Sequence, residues 1–280
     1  YPLLGILDDV RIYDKVLTSA EIKALFREID AVSDIMAAKG LYAESVYIGG
    51  GTPTSLDDDL FEETVLKVSD AFCGPNTAEF TVECGRPDTI TASGIRSLKK
   101  ANSGRISINP QTMRDQTLKI IGREHTPAQT EDAYRLARAL DAGIINMDLI
   151  AGLPGETPQD FRNTLEKVIA MEPENITVHT LAVKRGSRLM EQDRTYSYRQ
   201  GQAVAQMLET ARALLKETGY HPYYLYRQKH MTGNFENVGY CKEGTAGIYN
   251  IRIMQEDQSI IALGAGGISK IGRASCRERV

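Results

Sequence analysis

The stretch Val46-Tyr-Ile-Gly-Gly-Gly-Thr-Pro-Thr54 decides the fold of this 280-residue chain. An apolar strand runs directly into three glycines and then into a Thr-Pro-Thr turn. Because glycine has no Cβ, the backbone can bend tightly there and can present its N–H and C=O groups to a ligand. Loops of this kind at the carboxyl ends of strands bind cofactors in α/β proteins. Taken alone, the stretch is also compatible with a plain strand-to-helix turn.

The composition excludes several classes of protein. The net charge is −4 with both signs mixed, and no Lys/Arg-rich tract supports binding to nucleic acid. No apolar run reaches the ~20 residues of a membrane span. The four cysteines lack the close spacing of a zinc site, and a chain this long does not need a disulfide framework. We therefore expect a cytoplasmic protein with reduced thiols and without nucleic-acid or membrane partners.

Strands and helices are predicted to alternate from Glu44 onward. The predicted strands are Ser45–Ile48, Phe80–Glu83, Arg105–Ile108, Ile144–Ile150, Asn175–Leu181 and Tyr220–Tyr226. The predicted helices are Leu60–Phe72, Thr89–Asn102, Gln116–Ile121, Thr130–Ala142, Pro158–Met171 and Tyr198–Thr218. This alternation indicates βαβ units and a parallel sheet. Five or more units favour an α/β fold with a partial (β/α) barrel over a doubly wound sheet.

The two ends of the chain differ in character from the middle. Gly5–Phe26 resembles the closing strand and helix of laminin-G-like domains, so residues 1–26 are either chimeric or a chance match. Ser19 is a suitable N-cap for a helix from Ala20 to Ala38. Residues 27–195 are predicted to form the barrel and residues 196–270 an α+β extension. Residues 271–280 resemble a translated adapter and are predicted to lie outside the fold.

Polar residues follow the predicted strands at their carboxyl ends. Glu83 ends one strand, where its carboxylate could accept hydrogen bonds from ribose hydroxyls or an ammonium group, although a surface glutamate is the alternative. Gln111 has the donor and acceptor capacity for an adenine edge or a carboxylate. Arg123 could clamp a carboxylate with its planar guanidinium group. His125, two residues later, is interpreted as structural rather than catalytic.

Asp148 lies within an apolar strand and precedes the turn Gly152-Leu-Pro-Gly155. A buried carboxylate is costly unless it is paired or binds a ligand, so Asp148 is either a ligand contact or is tied to local backbone N–H groups. Thr157 is the expected N-cap of the helix that follows. These residues are predicted to converge on one ligand at the open end of the barrel.

Together, these stretches resemble the radical S-adenosylmethionine superfamily, and within it oxygen-independent coproporphyrinogen III oxidase and its relatives, which include a haem chaperone branch. The resemblance covers about residues 26–270. The run Tyr223-Tyr-Leu-Tyr-Arg-Gln-Lys-His-Met-Thr-Gly-Asn-Phe-Glu-Asn-Val-Gly-Tyr240 and the run Ala262-Leu-Gly-Ala-Gly-Gly-Ile-Ser269 are similar to the HemZ branch.

The resemblance implies cofactor-binding roles for eight residues. Gly50, Gly51 and Thr52 match the motif that holds the amino and carboxylate groups of S-adenosylmethionine, and Glu83 matches an acidic contact to the same molecule. Gln111, Arg123 and Asp148 match positions that contact a second S-adenosylmethionine, and Ala182 matches a backbone contact.

The resemblance also implies a reaction. A [4Fe–4S] cluster reduces S-adenosylmethionine, the resulting radical removes hydrogen from a propionate of coproporphyrinogen III, and loss of carbon dioxide leaves a vinyl group. A tetrapyrrole substrate and an electron donor such as flavodoxin or ferredoxin are the implied partners.

The chain departs from this family pattern in one respect, because it lacks the Cys-x3-Cys-x2-Cys motif that holds the cluster. In the HemZ branch, a segment like Tyr1-Pro2-Leu3 follows those cysteines. We therefore expect the cluster ligands upstream of Tyr1 and expect this polypeptide alone to be an inactive fragment. Cys73 and Cys84 have the wrong spacing and place to substitute.

Two other functions remain open. A haem chaperone would share the glycine motif, Glu83, Gln111 and Asp148. A Rossmann protein is a weaker alternative, because Gly264-Ala-Gly-Gly267 lacks the Gly-x-Gly-x-x-Gly spacing. Three arginines are candidate anchors for porphyrin carboxylates or ordinary surface residues: Arg185, Arg188 and Arg227.

Overall fold

The protein is seen here as a computed structural model that describes residues 5–11, 19–182, 201–227, 235–256, 258–264, 267–271 and 274–277. Its helices are α1 Ser19–Ala38, α2 Asp58–Phe72, α3 Ala92–Lys100, α4 Asp115–Ile120, α5 Pro127–Ala139, α6 Pro158–Ala170, α7 Gly201–Glu217 and α8 Ile248–Gln255. Its strands are β1 Gly5–Arg11, β2 Ala43–Gly49, β3 Glu79–Glu83, β4 Arg105–Gln111, β5 Ile144–Ala151, β6 Asn175–Thr180, β7 His221–Tyr226, β8 Asn237–Cys241, β9 Ser259–Ala262, β10 Ile268–Ile271 and β11 Ala274–Arg277.

The chain forms two compact units whose segments interleave along the sequence. The first comprises Tyr1–Ile108, Arg135–Ile144 and Gly247–Val280, and the second comprises Asn109–Tyr134 and Ile145–Ala246. In the first unit the strand order is β11-β10-β9-β1-β2-β3-β4. Strands β9, β1, β2, β3 and β4 run parallel, as the predicted βαβ pattern requires, and β10 and β11 add antiparallel strands at the edge.

The first unit's sheet has one apolar and one polar face. Val46 pairs with Phe80 and Ile48 with Val82, and these side chains are at most 4% exposed. The alternate positions on β2, β3 and β4 are largely polar: Ser45, Tyr47, Gly49, Glu79, Thr81, Glu83, Arg105 and Ser107. A parallel sheet normally buries apolar residues on both faces. The polar face is therefore the side of the sheet that is suited to a ligand or to ion pairs.

Glu79 organises the amino end of that polar face. Arg105 Nε lies 3.2 Å from Glu79 Oε2, and both side chains are less than 10% exposed. The backbone N–H groups of Ile248 and Tyr249 donate to the same carboxylate at 2.8 and 3.2 Å. These amides form the first turn of α8, where unpaired N–H groups and the helix dipole favour a negative charge. Glu79 thus joins β3, β4 and α8.

The second unit combines parallel strands with two antiparallel strands that lie within residues 196–270, the predicted α+β extension. Strands β5 and β6 are parallel, but the strand order is β5-β6-β8-β7, and β8 runs antiparallel to both of its neighbours. Strand β7 is thus separated from β6 by β8, a strand that was not predicted. A hairpin can place β7 beside β8 without a crossover helix, and alternating helix and strand patterns do not reveal this.

Several predicted boundaries agree with the structure, and others shift. Thr157 caps α6 in a reciprocal capping box with Asp160, as expected. Gly219 has φ +86°, which suits its predicted place after the long helix. Helix α3 begins later than predicted, because Thr91 is its N-cap and Pro87–Thr89 forms a short 3-10 turn. Strand β4 continues to Gln111 rather than ending at Ile108.

The two chain ends contribute strands to the first unit. Strand β1 pairs in parallel with both β2 and β9, although it falls within residues 1–26. Strand β11 pairs with β10, although the sequence places residues 271–280 outside the fold. Within the described ranges, no helix is long and apolar enough to cross a membrane.

Replacing Glu79 by Ala should lower the free energy of unfolding by roughly 3–5 kcal/mol, because Arg105 would stay buried without its partner. Urea denaturation of the full chain measures this. The matched control is Lys99→Ala, which removes the exposed Lys99–Asp141 pair and should cost about 0–1 kcal/mol. Equal losses in the two variants would contradict the structural role of Glu79.

Candidate functional site

The glycine loop after β2 closes onto the end of β3. Gly50 has φ +87°, a conformation that favours glycine, and its N–H donates to Glu83 Oε2 at 3.3 Å. Thr54 Oγ1 donates to the carbonyl of Cys84 at 2.8 Å, which ties the loop to the residue after Glu83. The structure therefore brings together two of the predicted cofactor contacts, Gly50 and Glu83, at the carboxyl end of the polar face.

Gly49, the first of the three glycines, was given no cofactor contact from the sequence, yet it has the tightest position at this end of β2. A Cβ at Gly49 would lie 2.5 Å from Cε1 of Tyr47 and 2.7 Å from Oε2 of Glu83. Both side chains thus lie over the bare backbone of Gly49. Gly85, with φ +58°, packs from the other side against Thr52 Oγ1 and the Gly51 carbonyl. The loop is held closely between β2 and the β3 end.

The polar face below the loop carries buried groups that the protein leaves unsatisfied. The hydroxyl groups of Ser45 and Ser107 are buried with no hydrogen-bond partner among the described residues. Buried polar groups without partners are costly, so such positions are suited to a bound polar ligand or ordered water. On the same face, the Tyr47 ring stacks on Tyr249 at 4.3 Å between centroids.

In the second unit, Gln111 ends β4 in a conformation that is uncommon for its residue type. Its φ is +64°, its side chain is 7% exposed, and its Oε1 has no partner among the described residues. A strained backbone with an unsatisfied buried amide oxygen is typical of functional positions. His125 is buried, and its Nε2 donates to the carbonyl of Pro110 at 3.2 Å, which agrees with its structural interpretation. Arg123, two residues before His125, is half-buried.

Asp148 lies on the half-exposed face of β5, in an environment unlike the predicted backbone cage. Its Oδ1 accepts a hydrogen bond from Asn146 Nδ2 at 2.7 Å, and its Oδ2 lies 3.5 Å from His179 Nε2. Thr177 Oγ1 donates to Asn146 Oδ1 at 2.9 Å and fixes the orientation of that amide. Side-chain partners from β5 and β6 therefore hold this carboxylate, which is 16% exposed.

A row of tyrosines on β7 borders Asp148. Burial, followed by the nearby Tyr223 and Asp148, raises the pKa of Tyr224 well above 10.0, so its phenol stays protonated. The Tyr224 ring lies flat across β8, because a Cβ at Gly239 would come 1.8 Å from its Cε1. Tyr226 follows in the row, with its ring parallel to that of Tyr224.

Ala182 follows β6 and is half-buried. The turn after β5 packs against α7, because a Cβ at Gly152 would lie 2.8 Å from Val204 Cγ2, and the Gly152 N–H points to the sulfur of Met207 at 3.3 Å. Gly50, Gly51, Thr52 and Glu83 belong to the first unit, whereas Gln111, Arg123, Asp148 and Ala182 belong to the second. The grouping of Gly51, Glu83, Gln111 and Asp148 around one cavity stays a prediction.

The described cysteines are unsuited to an iron–sulfur cluster. Burial raises the pKa of Cys73 to about 11 and that of Cys84 to about 12, so neither is a thiolate when no metal is bound. Cys241 is fully buried near His221. Within the described ranges, no group of three His, Cys, Asp or Glu residues could hold a metal ion. The described residues therefore do not fit a cluster.

Comparison with known proteins decides the family. The sequence profile of the radical SAM superfamily matches residues 14–168. The chain belongs to the radical SAM superfamily. In the first unit, the glycine loop and Glu83 place a backbone N–H and a carboxylate acceptor side by side.

Known relatives narrow the resemblance within the radical SAM superfamily. The chain is 46% identical to the "oxygen-independent coproporphyrinogen-III oxidase-like protein HemZ" of Bacillus subtilis, over 88% of this chain and 49% of that protein. It is 28% identical to the haem chaperone HemW of the same organism, over 82% of this chain and 58% of HemW. The chain thus spans about half the length of the curated relatives it matches.

A solved structure shows the fold of this radical SAM protein. Coproporphyrinogen III oxidase (HemN) from Escherichia coli superposes with a TM-score of 0.71 at 19% identity, over 99% of this chain and 67% of that chain. The fold is therefore α/β, the partial (β/α) barrel of radical SAM type, as predicted. At this level of identity the likeness concerns the fold alone.

Replacing Gly239 by Ala should displace Tyr224 and lower the free energy of unfolding by about 1–3 kcal/mol, because the added methyl group would overlap the ring. Gly74→Ala is the matched control, since a Cβ there meets nothing within 4 Å. Its effect should stay within about 0.5 kcal/mol. Indistinguishable urea midpoints for the two variants would show that Tyr224 does not lie across β8.

Proposed function

We propose that this chain carries the S-adenosylmethionine-binding part of an oxygen-independent coproporphyrinogen III dehydrogenase, an oxidoreductase of porphyrin biosynthesis. The observation that carries the proposal is the loop geometry, in which Gly50 donates to Glu83 directly above Gly49. The 46% identity to the HemZ protein supports the choice of tetrapyrrole chemistry.

Within this proposal, Gly50, Gly51 and Thr52 bind the amino acid end of the cofactor through their backbone groups. Glu83 accepts hydrogen bonds from the cofactor while its own position is fixed by the Gly50 N–H. Gln111, Arg123 and Asp148 are assigned to a second S-adenosylmethionine molecule, and Ala182 is assigned a backbone contact to the cofactor. When bound, S-adenosylmethionine supplies the hydrogen-abstracting chemistry of the superfamily.

The proposed substrate is a coproporphyrinogen III propionate side chain, which loses hydrogen and carbon dioxide to become a vinyl group. The described residues hold no cluster ligands, so this chain alone is assigned binding and orientation of the cofactor. An electron donor such as flavodoxin or ferredoxin and a cytoplasmic location complete the proposal.

The haem chaperone is the second candidate, because HemW matches over 82% of this chain. The two functions differ in what they hold: a chaperone keeps haem, whereas a dehydrogenase turns over a reduced tetrapyrrole. Titrating the full chain with haem and with coproporphyrin III separates them by absorbance. Stoichiometric haem binding without coproporphyrin binding would favour the chaperone.

Replacing Gly49 by Ala should weaken binding of S-adenosylmethionine by about tenfold or more, because the added Cβ would push Tyr47 and Glu83 out of place. Equilibrium dialysis of the full chain with labelled S-adenosylmethionine measures this. Gly74→Ala is again the matched control and should bind like the wild type. The cofactor assignment would be overturned by wild-type protein without saturable binding, or by equal affinities of the two variants.

A further inference from the structure

Three polar side chains on β5, β6 and β7 lie next to one another and form an array: Asp148, His179 and Tyr226. Asp148 Oδ2 lies 3.5 Å from His179 Nε2, and His179 Nδ1 lies 3.3 Å from the hydroxyl of Tyr226. The His179 ring also meets the Tyr226 ring edge-on, at 6.3 Å between centroids and 72° between planes. Both ring nitrogens of His179 are therefore directed at polar partners.

The geometry of this array favours one tautomer of the His179 imidazole. A neutral histidine carries one N–H and one acceptor nitrogen. Facing a carboxylate, Nε2 is favoured as the protonated nitrogen, and Nδ1 then accepts from the Tyr226 hydroxyl. The opposite tautomer would direct the Nε2 lone pair at Asp148 and would turn Nδ1 into a donor toward the Tyr226 hydroxyl. Tyr226 therefore acts on Asp148 through the tautomer of His179.

The strand arrangement places these three residues on one side of the sheet. In β5 and β6, Asp148 pairs with Thr177 and Ile150 with His179, so Asp148 and His179 lie on the same face. Tyr226 is oriented by its parallel contact to Tyr224, which needs the bare backbone of Gly239. This arrangement fixes both the carboxylate and the group that orients the imidazole.

Asp148 retains capacity for a ligand in this arrangement. Asn146 donates to one carboxylate oxygen and His179 faces the other, whereas an ionised carboxylate offers about four lone-pair sites. The side chains of Asp148 and His179 are 16% and 25% exposed, so a ligand can reach them. Hydrogen bonds of this kind often tighten only when a ligand is bound, which suits the 3.5 Å separation.

We propose that His179 and Tyr226 are positioning residues that hold the Asp148 carboxylate in place to accept hydrogen bonds from an adenosyl ligand. This inference rests on the proposed function, because it takes the ligand of Asp148 from there. His179 orients the carboxylate directly, and Tyr226 fixes the protonated nitrogen of His179.

The first test observes the imidazole without any ligand. In full-length chain labelled with 15N-histidine, His179→Gln assigns the His179 signals among those of the four histidines. We expect the neutral ring to carry its proton on Nε2. Tyr226→Phe should shift the Nδ1 resonance and increase the share of the other tautomer. Unchanged ring-nitrogen resonances in Tyr226→Phe would overturn the role of Tyr226.

The second test measures the affinity for S-adenosylmethionine by equilibrium dialysis. His179→Ala should weaken binding by about tenfold, since a hydrogen bond to a charged group is lost. His179→Gln should restore the affinity to within about threefold of the wild type, because its amide nitrogen can replace the Nε2 donor. The control is His221→Ala, because His221 is exposed and does not belong to the Asp148–His179–Tyr226 array. This variant should bind S-adenosylmethionine like the wild type.

Asp148→Asn separates a failure of this inference from a failure of the proposed function. Wild-type binding that Asp148→Asn does not weaken would remove Asp148 from the site and would overturn the proposed function at this position. Binding that weakens in Asp148→Asn but not in His179→Ala would overturn the positioning role alone. Equal losses in His179→Ala and His179→Gln would overturn the donor role of His179.

Discussion

Buried charge on the inner face of a parallel sheet is the constraint on which the rest of this structure depends. A carboxylate or guanidinium group in such a place must find partners, or its burial costs several kcal/mol. Glu79 finds Arg105 and the first turn of α8, while Glu83 finds the N–H of Gly50. At one end of the face the charge is fully neutralised and becomes structural. At the other end, the carboxylate accepts a hydrogen bond from a backbone N–H of the glycine loop.

Much of the architecture could be predicted from local signals, because periodicity and turn chemistry act over short distances. The end of β2 in the glycine loop and the capping box at Thr157 are examples. The order of β7 and β8 could not be predicted, because strand pairing depends on which edges remain open after the sheet has formed. The strand state of Gln111 was missed as well, since the alternation of apolar residues ends before the polar Asn109-Pro110-Gln111.

The sequence suggested the acidic and glycine residues of the candidate site. It did not suggest the residues that orient them. Glu83 and Asp148 stand out because a carboxylate at a strand end or within an apolar strand is unusual. Gly49 was noticed only as one of three glycines, and His179 was given no role. Their importance comes from a neighbour that is distant along the chain, such as the Glu83 carboxylate lying over Gly49. Such contacts form only when strands that are distant in the sequence lie side by side in the sheet.

The interleaving of the first unit along the chain has a consequence for biosynthesis. Strand β1 pairs with β9 through Gly5 and Ser259. The Glu79 carboxylate accepts a hydrogen bond from the N–H of Ile248, which lies 169 positions later in the sequence. Contacts between such distant residues must overcome the entropy of closing a very long loop. On the ribosome, β1, β2 and β3 therefore emerge long before the segments that complete their sheet. The edge of β1 that β9 covers stays unpaired until β9 has emerged, and an unpaired strand edge can pair with other chains.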